Sequence, residues 1–383
     1  MNRLIRTSLA AALGGALALP LLASVPAGAV DDDPGEVAAN EPYEVLVVGK
    51  TLGFRHSSID EATTAIMALG EANDFSVDVW DPPTDSNSFW RDSPGQPERT
   101  LPSTPFTSAE DLEQYATIVF VSTVDATNNM NPATRTLLDE SELEAFQGYI
   151  RNGGGYAGVH AATDTMHTIP WYSQLTGGGA RFVGHPQNQD AVQIVEDQTH
   201  PSTDHLGETW ERYDEWYNFN VSPRPEVRVL TSLDETTYNG GSMGADHPLS
   251  WCHNFEGARS WYTGAGHTEA SFVEPAFLEH LLGGIEWTAG AVDGGGNCVT
   301  WYEVNTLIDD LVDDGSVSDK AADRITKQLD KAQAKAEAGN HTAAAGKLNA
   351  ASAQVRAHVK DDATADLLRG KIADLQDWQA AID

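Results

Sequence analysis

Apolar runs of strand length recur along the first part of the chain. Residues 43–50 (YEVLVVGK), 75–80 (FSVDVW) and 116–122 (ATIVFVS) are three such runs, and 156–160 (YAGVH) is a shorter one. Near-continuous apolar runs are typical of strands that are buried on both faces of a parallel sheet. Because amphipathic segments separate these runs, the pattern predicts an α/β fold, with an open, mostly parallel sheet and helices on both faces.

Two of the amphipathic segments begin with the spacing of a capping box. Ser58 and Glu61 open the first segment, and Ser141 and Glu144 open the second. A Ser followed three residues later by Glu can satisfy the free N–H groups of a first helical turn. Each segment is therefore predicted to be a helix, and the second is expected to stop at the glycines that begin with Gly153.

The pattern is less regular after residue 165. We predict strands at 191–195 and 227–233, a hairpin and a closing helix at 277–287. The hairpin strands, 249–255 and 258–263, flank Glu256 and Gly257, which form a turn signal. The predicted α/β domain spans residues 43–292.

Residues 302–383 differ in composition from the rest of the chain. They are rich in Ala, Lys, Asp and Leu, and their apolar residues recur at helical spacing. This pattern predicts a small all-α bundle of three or four helices, joined to the α/β domain by a Gly-rich linker at 293–301. The segment contains no cluster of catalytic residue types. We interpret it as a spacer or docking module whose partner the sequence does not identify.

The first 29 residues have the features of a secretory signal peptide. Arg3 and Arg6 precede an apolar stretch at 9–25, and Ala27-Gly28-Ala29 matches a cleavage site. We expect cleavage after Ala29 and a secreted or extracytoplasmic mature protein that begins with an acidic leader at 30–42. No later segment has the roughly 20 apolar residues of a membrane span, so no membrane insertion is expected after cleavage.

The charge of the chain excludes two classes of partner. It contains 57 acidic and 23 basic residues, with a formal net charge of −34. Such a surface repels phosphate backbones and anionic lipids, so we expect no binding to nucleic acid or to an anionic membrane surface.

The chain contains two cysteines, Cys252 and Cys298. In an exported protein an even pair favours a disulfide. Two separate thiols and a catalytic Cys252 are the alternatives.

A long loop with six prolines lies between Asp81 and Ser108. Loops of this length are often lids or binding loops. A surface insertion without a role in function is an equally good interpretation.

Five motifs occur in an order that resembles the ThuA-like (trehalose-utilisation) family. They are GFRH at 53–56, GGGYAGVHAATD at 153–164, RFVGHP at 181–186, DEWYN at 214–218, and the segment from His247-Pro248 to His267. The resemblance covers roughly residues 43–290. It implies a flavodoxin-like fold related to class I glutamine amidotransferases, and a small-molecule carbohydrate as partner, such as a disaccharide or an oxidised (3-keto) sugar. The tail resembles a helical module found at the ends of secreted bacterial enzymes.

One motif departs from the amidotransferase pattern. Those enzymes carry a nucleophilic cysteine in a G-x-C-x-G run after a strand, whereas this chain has Gly158-Val-His160-Ala-Ala162. Without a thiol at this position, glutamine hydrolysis through a thioester is not expected.

Histidine acid/base chemistry on a sugar is the leading hypothesis for the reaction. His160 and His56 follow predicted parallel strands, and the pKa of an unperturbed histidine, near 6.5, suits proton transfer at neutral pH. Glu215 or Asp214 would orient His160 or act as the second acid/base group. Arg55 would hold an oxyanion.

Several other residues are predicted to contact the sugar. Aromatic rings that could stack on sugar faces are Trp216, Tyr217, Trp251 and Trp261, and polar candidates are Asp164, Arg181 and His185. Arg181 could instead form a structural ion pair, and Trp261 could belong to the core.

Two further hypotheses stay open at this point. A zinc ion could be the cofactor, held by His56, His160, His253 and His267 with Glu215 in the pool, although no tight ligand spacing is present. Zinc would make the protein a metal-dependent hydrolase on the same scaffold. Alternatively, the protein could bind a sugar without converting it.

Overall fold

The computed structural model describes residues 42–84, 99–131 and 133–382. The predicted signal peptide, the leader up to residue 41 and most of the proline-rich loop lie outside these ranges. Within them, no helix has both the length and the apolar character that crossing a membrane requires.

The described residues form eleven strands. They are β1 (Tyr43–Val48), β2 (Phe75–Trp80), β3 (Tyr115–Val121), β4 (Gly155–Val159), β5 (Phe182–Gly184), β6 (Gln189–Val195), β7 (Thr209–Asp214), β8 (Asn218–Phe219), β9 (Arg228–Leu233), β10 (Pro248–Phe255) and β11 (Ala258–Thr263).

Nine of these strands form one mixed sheet in the order β2-β1-β3-β4-β11-β10-β9-β6-β7. The four pairs β2-β1, β1-β3, β3-β4 and β4-β11 are parallel. The remaining pairs are antiparallel and include the predicted hairpin of β10 and β11. The short strands β5 and β8 pair separately. The parallel part confirms the predicted α/β fold, whereas sequence analysis missed β5, β7 and β8.

Nine helices occur in the described part of the chain. They are α1 (Ser58–Ala72), α2 (Ala109–Leu112), α3 (Glu140–Arg151), α4 (Pro170–Gly177), α5 (Pro275–Thr288), α6 (Trp301–Asp313), α7 (Asp319–Ala336), α8 (His341–His358) and α9 (Asp362–Ile382).

Alternate residues of β1 face two separate hydrophobic cores. Leu46 and Val48 belong to one core, Val45 and Val47 belong to the other, and all four are fully buried. Residues of α3 and α4 complete the first core, and residues of α1 and α5 complete the second. Because strand side chains alternate between the two faces, the apolar run of β1 is explained by helices on both sides.

Both predicted capping boxes are wrong in detail, although both helices form. The box at α3 uses Asp139 and Glu142, two residues before the predicted pair. At α1 the Ser58 hydroxyl does not cap the helix. It donates to the carbonyl of Gly266, 3.2 Å away, and so ties the start of α1 to the loop after β11.

The sheet curves so that its antiparallel edge returns toward its centre. Three strands separate β7 from β11, which would place them about 19 Å apart in a flat sheet with a strand spacing near 4.8 Å. Asp214, the last residue of β7, nevertheless accepts hydrogen bonds from the N–H groups of Gly266 (2.8 Å) and His267 (3.0 Å) after β11. The carboxyl ends of β7 and β11 therefore meet.

The tail forms four helices, α6 to α9, that share one core, in agreement with the predicted bundle. Its core contains Ile308, Ile325, Leu348 and Ile372, one from each helix and all buried. These residues are part of the apolar pattern that predicted the helices. The bundle therefore buries its own core, separate from the two cores of the sheet.

The bundle is fastened to the α/β part by a disulfide and by side-chain contacts. Cys252 of β10 is bonded to Cys298, three residues before α6, which confirms the disulfide prediction. The indole N–H of Trp378 in α9 donates to the Asp197 carboxylate at 3.0 Å. The guanidinium of Arg228, which is paired with Asp197, lies 4.4 Å from the Trp378 ring centre. The bundle therefore covers a buried ion pair of the α/β part.

Candidate functional site

Four loops that carry histidine or glutamate meet at one edge of the sheet. His56, His160 and His267 lie in the loops that follow β1, β4 and β11, which run in the same direction. Glu215 comes directly after β7, and the curvature of the sheet brings it to the same edge. In α/β sheets, ligands bind outside the carboxyl ends of the strands, so this edge is the expected place for a functional site.

These four residues form a close group, here named the His–Glu cluster (His56, His160, Glu215 and His267). Oε2 of Glu215 lies 3.4 Å from Nε2 of His160 and 3.2 Å from Nδ1 of His267, and the two nitrogens are 3.2 Å apart. The ring of His56 stands edge-on to both, with centroid distances of 5.0 and 5.1 Å. One potential ligand atom of each residue lies within 4.8 Å of the others.

A strained turn aims His160 into the cluster. This residue ends β4 and begins a short 3-10 helix with a φ of 49°, a conformation that is uncommon outside glycine. Its Nδ1 lies 2.9 Å from the carbonyl oxygen of Gly264, and its own carbonyl accepts a 2.7 Å bond from the Tyr262 hydroxyl. Because a carbonyl can only accept, Nδ1 carries a proton, and in the neutral ring Nε2 presents a lone pair to the cluster.

Asp214 fixes the spacing between Glu215 and His267. Its carboxylate is fully buried and accepts from the backbone N–H groups of Glu215 (3.0 Å), Gly266 (2.8 Å) and His267 (3.0 Å). Arg212 balances its charge, with Nη1 at 3.4 Å. A single carboxylate therefore holds the loop after β7 against the loop after β11.

His185 binds the other oxygen of Glu215. The pairing of β5 with β8, in which Gly184 lies opposite Asn218, sets the two loops side by side. Nδ1 of His185 is 2.9 Å from Oε1 of Glu215 and 2.8 Å from the Pro186 carbonyl. The side chain of His185 is 37% exposed, compared with 0% for His160. Since both partners of Nδ1 are acceptors, Nδ1 is protonated, and Nε2 is the basic atom.

Electrostatics set the protonation states of two members of the cluster. Burial alone would raise the pKa of Glu215, but the imidazoles of His160 and His267 beside its carboxylate lower it below the usual range of a carboxyl. Burial lowers the pKa of His56 well below 6.5, and His160 and His267 lower it further. Near neutral pH, Glu215 is therefore anionic and His56 is neutral.

The donor set of the cluster suits a metal ion of the zinc type. Three imidazole nitrogens and a carboxylate oxygen converge. Nδ1 of His56 is buried and has no hydrogen-bond partner among the described residues. The predicted ligand His253 is not in this group, because it is buried elsewhere with Nε2 2.9 Å from the Leu175 carbonyl.

A second group of metal-ligating residues cannot serve as such a site. His200 lies close to both sulfurs of Cys252 and Cys298, but these sulfurs are bonded to each other. The disulfide also removes the hypothesis of a catalytic Cys252.

Comparison with known proteins places this architecture in a family. The model of the ThuA family, described as trehalose utilisation, matches residues 44–288. The chain belongs to the ThuA family. The model of the FIMAH domain matches residues 303–375, within the helical bundle of this ThuA protein. No curated protein matched the chain.

Two solved structures resemble the ThuA part of the chain. A ThuA-like protein from Bacteroides uniformis is 25% identical, covers 65% of this chain and 93% of its own, and superposes with a TM-score of 0.50. One from Parabacteroides merdae is 20% identical, with coverages of 65% and 90% and a TM-score of 0.46. The first supports the same fold for this ThuA domain.

The predicted sugar-stacking residues of the ThuA domain are interior residues. The rings of Trp216, Trp251 and Trp261 are fully buried, and Tyr217 is 2% exposed with its ring 4.2 Å from that of His160. None of these four rings can stack on a bound sugar in this conformation. The sequence could not separate the two roles, because a buried and an exposed tryptophan look alike in it.

An aromatic residue that sequence analysis missed lies at the cluster. Phe54 is 67% exposed and stands edge-on to His56, with ring centroids 4.9 Å apart. Its position within the GFRH motif was a signal that could have identified it.

Arg55 takes a structural position rather than the predicted oxyanion site. It is 4% exposed and binds the Asp81 carboxylate through two nitrogens, at 2.9 and 2.7 Å, and Asp60 at 2.9 Å. These ion pairs anchor the loop that carries His56.

Two further predicted residues lie near the cluster but outside it. The carboxylate of Asp164 pairs with Nε2 of His167 at 2.9 Å. Arg181 donates to the carbonyl of His167 at 3.1 Å and lines a cavity of about 260 Å³ together with Phe182 and Asn220. The guanidinium of Arg181 contacts the Met130 sulfur and the His167 carbonyl, so the contacts seen among the described residues do not support the alternative of a structural ion pair.

Proposed function

We propose that this ThuA-family protein is an enzyme that acts on a disaccharide or an oxidised (keto) sugar by histidine acid/base chemistry. The family description, trehalose utilisation, supports a carbohydrate as the substrate class. The observation that carries the chemistry is the contact between Nδ1 of His185 and Oε1 of Glu215, 2.9 Å long, at the exposed side of the His–Glu cluster.

His185 has the features of a general base that is oriented by a carboxylate. Glu215 accepts the Nδ1 proton, which holds the tautomer whose Nε2 is basic. Nε2 lies on the opposite edge of the ring from Glu215, and the side chain is 37% exposed. The sequence hypothesis assigned this role to His160, but the His160 side chain is fully buried and its Nε2 faces the cluster. We therefore assign proton transfer to His185.

A keto sugar offers a proton that such a base can remove. The C–H bond beside a ketone breaks, its proton moves to Nε2 of His185, and its electron pair moves toward the carbonyl oxygen. Return of that proton to the former carbonyl carbon, with transfer of the adjacent hydroxyl proton to the former carbonyl oxygen, completes an isomerisation. Departure of an oxygen substituent from the next carbon, with the proton from His185, completes an elimination. The exposed ring of Phe54 provides the apolar surface on which a sugar face can rest.

Product analysis with defined sugars tests this function. The full-length protein is incubated with trehalose or its 3-keto derivative, and products are identified by NMR. The expected result is turnover that falls at least about 100-fold in His185→Ala and His185→Gln. His341→Ala, in the helical bundle, is the matched control and should retain full turnover. Full activity in both His185 variants would refute the assignment, and saturable binding without product would replace the enzyme by a sugar-binding module.

We also propose export of the protein through the signal peptide predicted at residues 1–29. The disulfide between Cys252 and Cys298 supports an oxidising compartment. Mass spectrometry of the protein from the culture medium should give an N-terminus at Val30. Recovery of the uncleaved chain from the cytoplasm alone would contradict this proposal.

A further inference from the structure

We propose that the His–Glu cluster is a catalytic centre for one divalent transition-metal ion, with His56, His160, Glu215 and His267 as its ligands. The inference deepens the proposed function, because it adds an electrophile beside His185. Binding of the ion is nevertheless a property of the cluster alone, and it can be tested without knowledge of the substrate.

The distances within the cluster are those of ligands around a common ion. The triangle formed by Nε2 of His160, Nδ1 of His267 and Oε2 of Glu215 has edges of 3.2, 3.2 and 3.4 Å. A tetrahedral ion with bonds of about 2.0–2.1 Å separates its ligand atoms by about 3.3–3.4 Å. His56 adds a fourth ligand atom within 4.8 Å of the others, so a small movement of its ring completes the set.

Hydrogen bonding between neutral imidazoles and the Glu215 carboxylate does not account for all of these contacts. In the neutral ring of His160, Nδ1 donates to Gly264 and Nε2 faces Oε2 of Glu215 with a lone pair, so two acceptors oppose each other at 3.4 Å. Nδ1 of His56 is buried and unpartnered among the described residues, a state that polar atoms in folded proteins rarely adopt. A cation among these atoms would give each of the facing lone pairs an electrophilic partner.

The groups around the cluster resemble the outer shell of a metal centre. Histidine ligands usually donate their second ring N–H to a carbonyl or a carboxylate, as His160 does to Gly264. Ligand carboxylates are in turn hydrogen-bonded, as Oε1 of Glu215 is by His185. Asp214 holds the backbone of Glu215 and His267 in place. The positions of His160, Glu215 and His267 are therefore fixed before any ion binds.

The donor atoms select the class of ion. Ca²⁺ and Mg²⁺ prefer shells of oxygen ligands, whereas three imidazoles and one carboxylate suit Zn²⁺, Co²⁺, Ni²⁺, Fe²⁺ or Mn²⁺. The near-tetrahedral spacing favours Zn²⁺ among them. His267 is 23% exposed, which leaves a side of the centre open. When bound there, such an ion would act as a Lewis acid toward a sugar oxygen.

Metal titration of the full-length protein tests the proposal. Protein stripped with a chelator and dialysed is titrated with Zn²⁺ by calorimetry and with Co²⁺ by visible absorption, and its metal content is measured by elemental analysis. We expect about one ion per chain and Co²⁺ bands typical of four-coordinate sites. Glu215→Gln and His267→Ala should lower the Zn²⁺ affinity at least about 100-fold, because each removes a direct ligand, and even second-shell changes cost 10–100-fold.

Controls separate this centre from surface binding and from misfolding. His205→Ala removes a half-buried histidine outside the cluster and should keep the wild-type affinity. Circular dichroism verifies folding, and the nearly isosteric Glu215→Gln keeps the test valid if His267→Ala does not fold. Wild-type protein that takes up no Zn²⁺ at micromolar concentration, or Glu215→Gln that binds like the wild type, would overturn the centre.

Activity assays distinguish failure of the centre from failure of the proposed function. Turnover that persists in metal-free protein would overturn the catalytic centre and leave proton transfer by His185 intact. A bound ion with no turnover of either sugar would keep the ion site but refute both its catalytic role and the proposed enzyme.

Discussion

Asp214 offers a sharp test of how the His–Glu cluster is held together. Asp214→Asn keeps the shape of the side chain but removes its charge and replaces one acceptor oxygen by an NH₂ group. The three backbone N–H groups of Glu215, Gly266 and His267 now point at Asp214 from 2.8 to 3.0 Å. In the variant at least one of these N–H groups faces another donor.

The magnitude of the effect follows from the burial of this residue. Asp214 is fully excluded from solvent, with 0% exposure, and Nη1 of Arg212 lies 3.4 Å from its carboxylate. Hydrogen bonds to a buried charged group contribute about 1.5–3 kcal/mol each, and loss of a partner from a buried ion pair costs about 3–5 kcal/mol. Because Arg212 keeps its contact with Glu274 at 2.9 Å, we expect a total loss at the lower end, about 3 kcal/mol.

Urea unfolding and Zn²⁺ titration measure the two consequences. The free energy of unfolding should fall by about 3 kcal/mol, and the Zn²⁺ affinity should fall by about 10–100-fold, as is usual for outer-shell changes. Asp366→Asn is the control, because Asp366 is an exposed partner of Arg369 and surface pairs contribute at most about 1 kcal/mol. A loss below about 0.5 kcal/mol with unchanged affinity would refute the view that Asp214 positions the cluster.

Three further predictions concern stability. Removal of the disulfide in Cys252→Ser/Cys298→Ser should lower the free energy of unfolding by about 4 kcal/mol for a loop of this length, measured in urea, and an unchanged midpoint would contradict it. Trp378→Ala removes the indole contact with Asp197 and should destabilise the chain by about 3 kcal/mol. An unchanged transition in calorimetry would show that the bundle does not depend on the contact between Trp378 and Asp197. Stability should also fall with acid, because burial lowers the pKa values of three histidines below the 6.5 of an unfolded chain. The pKa is about 3 for His200, about 4 for His253 and about 3 for His280. Because the folded-state pKa values are depressed, the contribution of these histidines to stability is present above pH 6.5 and is lost as the pH falls. The loss is about 2 kcal/mol per histidine between pH 6.5 and 5. Equal urea midpoints at pH 7 and 5 would refute this.

Part of the candidate site could be predicted from local sequence. His56 and His160 follow strands that apolar runs identify, and parallel strands present their carboxyl ends at one edge. The turn at His160 was also indicated by the sequence, because His160 takes the place of the nucleophilic cysteine in the G-x-C-x-G run that follows a strand in amidotransferases. These inferences succeeded because strand position and strand-end loops are encoded within a few residues.

The exposure of aromatic residues could not be predicted in the same way. Trp216, Trp251 and Trp261 were expected at a sugar, but they are buried in the cores, and the exposed aromatic ring at the cluster is Phe54. Tryptophan suits both a core and a sugar-binding surface, since both use its apolar ring. Only the packing of neighbouring elements decides between the two roles.

The sequence by itself determined the α/β pattern, the hairpin, the helical bundle and the histidine-bearing loops, because each depends on periodicity or on turn residues close together in the chain. The tertiary structure decided which of these loops meet. Glu215 reaches His160 because the sheet curves and Asp214 bonds to the loop after β11. His253 is excluded because its side chain faces α4. Curvature and long-range pairing arise from the packing of the whole sheet, so no local pattern could encode them.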